Sequence, residues 1–121
     1  MKDNNMSLVQ KEAYLKYSKN PGIPTKKYPS LELVRLEKIF FKNDTANKNL
    51  LEYGIGDGPN TEHLLRQGYT IHGIDISEGA LKSTEKRLEN DIGLIKNLKL
   101  TKLSIDAQKL DFEDNTFDYI V

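Results

Sequence analysis

The sequence contains no cysteine, so it can form neither a disulfide nor a thiolate metal site. Its only histidines, His63 and His72, stand far apart without an evident third ligand, and no metal is expected. No apolar run approaches the length of a membrane span, so no membrane partner is expected. The polar start Met1-Lys2-Asp3-Asn4-Asn5-Met6 leads into no apolar stretch or small-residue cleavage site, which points away from secretion and toward the cytoplasm. Net charge is also missing: 18 Lys and Arg balance 18 Asp and Glu, for a formal charge of +0. The pair Lys26-Lys27 is too sparse for a nucleic-acid footprint, and nucleic acid is not expected as a partner.

What is present describes one soluble globular domain. The 121 residues are 37% hydrophobic and 30% charged, enough to bury a core of modest size. The charge is unevenly spread. Residues 1–48 hold 10 Lys and Arg against 5 Asp and Glu, and residues 49–121 hold 8 against 13. The two segments therefore attract each other loosely, or the basic arm raises the local concentration of an anionic substrate.

The first 48 residues read as a helical lead-in. Ser7 to Ser18 carries Leu8, Tyr14, Leu15 and Tyr17 in an imperfect helical period. Asn20-Pro21-Gly22-Ile23-Pro24 must be an irregular connection, because its prolines remove donors and fix φ. Ser30 is placed to cap a helix from Leu31 to about Asn43, with Glu32 in its first turn and Leu33, Leu36 and Phe40 on one face beside Ile39. That face is expected to pack on a sheet.

From Asn49 the pattern alternates between strand and helix. Leu50 to Tyr53 is a strand, Thr61 to Gln67 a helix closed by Gly68, and Thr70 to Ile74 a second strand ending at Asp75. Ser77 can cap a helix to about Asn90, with Ala80, Leu81, Thr84 and Leu88 near one face. Lys99 to Leu103 is a third strand and Phe117 to Val121 the start of a fourth. Such alternation implies an α/β fold with a Rossmann-like, mainly parallel sheet and flanking helices.

Glu52-Tyr53-Gly54-Ile55-Gly56-Asp57-Gly58 joins the first strand to its helix. Glycines at alternate positions let the backbone approach a ligand closely, and the helix start that follows favours an anionic group. A purely structural tight turn is the competing reading. The dinucleotide fingerprint wants glycine at the sixth position, where this chain has Pro59, and no Gly-Lys-Ser or Gly-Lys-Thr of a Walker loop occurs. Parallel topology brings Asp75 beside the loop, where a carboxylate can accept both hydroxyl hydrogens of a ribose; otherwise Asp75 merely starts the turn before Ser77. Asp106 after the third strand can accept from an adenine amino group, and the backbone N–H of Ala107 can donate to a ring nitrogen. Together the three strand tips suit an adenosine with a charged tail.

The run Leu50 to Thr61 resembles the first motif of class I S-adenosylmethionine-dependent methyltransferases: an acidic residue, Gly-x-Gly-x-Gly and, three positions later, threonine. Gly73-Ile74-Asp75-Ile76-Ser77 resembles their second motif, Ser104-Ile105-Asp106-Ala107 the third, and Phe117-Asp118-Tyr119-Ile120-Val121 the opening of the fourth. The resemblance implies S-adenosylmethionine as cofactor. Gly54, Gly56 and Gly58 would line its methionyl part, Asp75 the ribose, and Asp106 with Ala107 the adenine, with Ile76 also among the cofactor-binding residues, while Glu52 would orient the loop or reach the methionyl ammonium. It implies methyl transfer to a small-molecule acceptor, by catalytic residues the sequence does not name. Glu52 departs from the commoner aspartate, and Tyr53 and Ile55 are bulkier than usual. The family's sheet has seven strands, so residues 49–121 are expected to be an incomplete domain, truncated at the start of the fourth strand and preceded by N-terminal helices. Self-association through the open sheet edge would follow.

Tyr14, Tyr17 and Tyr28 would either pack against the domain or lie over a sulfonium cation. Two further readings stay open: a non-catalytic adenosyl-cofactor-binding module and, disfavoured by Pro59 and Asp106, a nicotinamide-dependent oxidoreductase.

Overall fold

The computed structural model describes Leu8, residues 27–41 and residues 48–121. Of the helix expected from Ser7 to Ser18, only Leu8 falls within that set, and it is helical. The proline-rich connection, Tyr14 and Tyr17 lie outside the described residues.

Four strands, β1 (Asn49–Tyr53), β2 (Thr70–Asp75), β3 (Leu98–Lys102) and β4 (Tyr119–Ile120), form one parallel sheet in the order β3-β2-β1-β4. Four helices are described: α1 (Leu31–Phe40), α2 (Pro59–Arg66), α3 (Glu78–Leu88) and α4 (Ile92–Ile95). The expected fold class is therefore present, with β3 beginning one residue earlier than its sequence pattern suggests. Although β4 itself is two residues long, flanking bonds extend its pairing, with the Asp118 N–H donating to the Asn49 carbonyl at 2.8 Å and the Val121 N–H to the Leu51 carbonyl at 2.9 Å.

Register explains the core. Leu98, Ile71, Leu50 and Tyr119 align across neighbouring strands, so strand alternation sends their side chains to the same face. There they meet Leu64 and Leu65 of α2, Leu88 of α3, and Tyr69. Phe41 stacks on Tyr119 at a centroid separation of 4.1 Å, with Tyr69 edge-on to both rings.

The lead-in helix α1 departs from its sequence reading. Ser30 caps it as expected, accepting from the Leu33 N–H at 3.3 Å, but the helix stops at Phe40 rather than near Asn43. Of its anticipated apolar face only Leu33 packs against the core, while Leu36, Ile39 and Phe40 are 48%, 59% and 68% exposed. Glu37 is the buried residue instead, accepting from the Tyr69 hydroxyl at 3.2 Å and lying 3.8 Å from His63 Nε2. Polar partners on the domain decide the orientation, and Phe41, just past the helix, supplies the aromatic anchor. Tyr28 is 80% exposed, so packing against the domain is not its role.

Candidate functional site

Parallel strands place the ends of β1 and β2 at one edge of the sheet, and the glycine loop forms where β1 turns into α2. Gly54, Gly56 and Gly58 all have positive φ, at 75°, 58° and 86°, which side-chain-bearing residues rarely adopt. A Cβ built on Gly54 would meet no atom within 4 Å, so the loop opens onto free space there. At Gly58 the reason for glycine is different: a Cβ would come within 2.7 Å of Thr84 Oγ1. Pro59 occupies the first turn of α2, where its missing N–H costs nothing, and no side chain caps that helix start. The positive end of α2 is thus left for an anionic group.

Asp75 joins the strand tips. Its Oδ2 accepts from the Gly56 N–H at 3.0 Å and its Oδ1 from the Ser77 N–H at 2.8 Å. One carboxylate therefore fixes both the glycine loop and the entry to α3, and Ile76 lies half-buried between those bonds. Ser77 in turn caps α3 by accepting from the Ala80 N–H at 3.2 Å.

Glu52 lies beneath the loop at 4% exposure and accepts from the Thr61 hydroxyl at 2.5 Å. Burial raises its carboxyl to about 7; the Thr61 hydrogen bond opposes that rise, and the neighbouring Asp75 carboxylate adds to it. Glu52 thus ties β1 to α2 while remaining close to gaining or losing a proton near neutrality.

Two contacts escaped the sequence reading. The Thr84 hydroxyl donates to the Gly56 carbonyl at 3.1 Å, and Arg87 Nε donates to the Asp57 carbonyl at 2.8 Å. Thr84 has the periodicity of a core residue and Arg87 that of a solvated face, so no local signal marks either one.

Glu52, Gly54, Gly56, Gly58, Asp75 and Ile76 are consequently one connected unit. Asp106 and Ala107 sit apart from it in sequence and in character, on an exposed turn after β3. That turn is closed by the Ala107 N–H donating to the Ser104 carbonyl at 3.0 Å. The histidines have structural surroundings: His63 faces Glu37, and His72 bonds to Thr101 Oγ1 at 2.7 Å beneath Phe112. Among the described residues no cluster of acidic, histidine or cysteine side chains could hold a metal, and no helix is long and apolar enough to cross a membrane.

A parallel α/β sheet with an open glycine loop and an acid at the next strand tip is the arrangement in which open α/β sheets hold ligands at their strand ends. The methyltransferase-domain family matches residues 50–121, and the chain belongs to that family. A comparison with curated proteins finds no match.

Solved structures share the fold. Phosphoethanolamine N-methyltransferase 2 of Haemonchus contortus, in complex with S-adenosyl-L-methionine, is similar at a TM-score of 0.63 and 20% identity, over 98% of this chain and 26% of that one. The MccD protein gives 0.62 and 24%, over 78% of this chain and 41% of that one. The glycopeptide N-methyltransferase MtfA complexed with sinefungin gives 0.62 and 18%, over 79% and 36%. At these identities the likeness establishes the fold, and this chain spans less than half the length of each of those proteins.

Proposed function

We propose that this chain supplies the S-adenosylmethionine-binding part of a methyltransferase acting on a small-molecule acceptor. The observation that carries the reading is the connected unit of Glu52, the three glycines and Asp75, whose loop opens at Gly54 and leads into an uncapped helix start. Membership of the methyltransferase-domain family supports it.

The residues fit such a cofactor in kind. Gly54 leaves room for the methionyl part, and the start of α2 favours its carboxylate. Glu52, ionised, would complement the ammonium across the loop. Asp75 has two oxygens at the crevice and would accept from ribose hydroxyls, sharing its lone pairs with the Gly56 and Ser77 N–H groups. Asp106 and Ala107 would meet the adenine from the turn after β3. When bound, the cofactor supplies a methyl group already activated on a sulfonium. The chain's own contribution is to hold that group in a fixed direction, and positioning of this kind accounts for much of the rate in a transfer needing no further activation. Support for a small acceptor comes from the Haemonchus contortus enzyme, whose structure also exists with phosphomonomethylethanolamine and S-adenosylhomocysteine.

Calorimetric titration of the intact protein with S-adenosylhomocysteine tests the reading. Saturable binding of one ligand per chain is expected, and no heat of binding at millimolar ligand would overturn it.

A further inference from the structure

A loop with three positive-φ glycines has much conformational freedom to lose, so its bound geometry persists only where other groups hold it. Here the backbone is held from two sides. Asp75 takes the Gly56 N–H, while α3 takes the next two carbonyls, with Thr84 on Gly56 and Arg87 on Asp57. Thr84 and Arg87 stand three positions apart on a helix and so share a face. Thr84 is 0% exposed, and Gly58 packs so closely on it that a Cβ would collide with its side chain. The Arg87 guanidinium, with a side chain 10% exposed, also lies 4.0 Å from Glu62 of α2, the helix that the loop opens.

We propose that Thr84 and Arg87 are positioning residues, which hold the glycine loop in its ligand-ready shape so that α3 sets cofactor affinity without touching the cofactor. The proposal rests on the cofactor reading above for its affinity readout alone. Order that exists before binding does not have to be created during binding, and affinity rises accordingly. Loss of the Thr84 hydroxyl would leave the Gly56 carbonyl without its α3 donor, and the loop would then spend part of its time in other conformations.

The experiment uses the full chain with Thr84→Val, Thr84→Ser and Arg87→Met. Three quantities are measured: S-adenosylhomocysteine affinity by calorimetry, hydrogen exchange of the amides of residues 54–58 without ligand, and the melting midpoint as a control for global stability. Thr84→Val is expected to weaken binding about fivefold to tenfold, the size of one lost hydrogen bond, and to speed loop exchange while the β2 amides keep their protection. Thr84→Ser, which keeps the hydroxyl, should stay within about twofold of the parent. Binding and loop exchange unchanged in Thr84→Val would overturn the proposal, as would equal damage in Thr84→Ser, which would assign the effect to the methyl group. Should Thr84→Val fail to fold, Arg87→Met decides by the same two readouts, with faster loop exchange expected and unchanged exchange overturning the role. If the parent protein binds no S-adenosylhomocysteine, the cofactor reading falls, whereas loop exchange still decides whether α3 holds the loop.

Discussion

Glu52 has surrendered almost all of its hydration and keeps one strong donor in return, the Thr61 hydroxyl. With its carboxyl raised from 4.5 to about 7, the folded protein keeps a proton that the unfolded chain has already released. The folded state therefore binds more protons across this window, and stability falls as pH rises from about 4.5 to about 7, then levels off. The loss amounts to about 3 kcal/mol. Glu52→Gln should remove this slope, read as a smaller difference between urea unfolding curves at about pH 5 and about pH 8. Identical slopes in parent and variant would mean that Glu52 is ionised throughout. At this scale the sequence was informative where spacing alone carries meaning. Alternate glycines have few structural uses, and an acid at the next strand tip falls beside them through topology. It was silent on Thr84 and Arg87, whose importance arises only when α3 swings back across the loop.

Among the elements, α1 shows what an apolar period leaves out. Leu33, Leu36 and Phe40 recur at helical spacing, yet the helix turns Glu37 inward because Tyr69 and His63 lie there. Periodicity ranks residues by hydrophobicity and carries no information about which polar side chain has a distant partner. Tyr69→Phe keeps the ring contacts with Phe41 and Tyr119 while removing the hydroxyl that Glu37 accepts from. It is expected to cost about 1 to 3 kcal/mol, because a buried carboxylate oxygen loses its donor. A lower urea midpoint at unchanged m-value would register that cost, and an unchanged midpoint would show that water replaces the hydroxyl. The strands and α2 and α3 were legible because strong alternation, glycine stops and serine caps agree with one another. The four residues of α4 were not, since Ile92 to Ile95 is too short for a period and is marked only by its Asp91 cap.

At the scale of the whole sheet, the order β3-β2-β1-β4 leaves two lateral strands among the described residues, and they differ in how they meet solvent. β3 carries the exposed lysines Lys99 and Lys102, a charge pattern that discourages strand addition, whereas β4 presents Ile120 at 68% exposure. Where β4 stands as an edge strand, association through it is expected. Sedimentation velocity should show a coefficient that rises with protein concentration and loses that rise in Ile120→Lys; a coefficient independent of concentration in the parent would refute it.

The bond between Gly56 and Asp75 reaches across 19 positions of sequence. A peptide covering residues 49–66 would contain the first strand, the glycines and the helix, yet lack both the carboxylate and the hydroxyl that give the loop its form. Strand side chains alternate, so a slip of β2 by one residue would turn Asp75 to the opposite face and carry Ile71 out of the core with it. Recognition and folding thus depend on the same alignment. A ligand bound in the cradle would select correctly registered chains over misaligned ones, and so would act as a check on assembly.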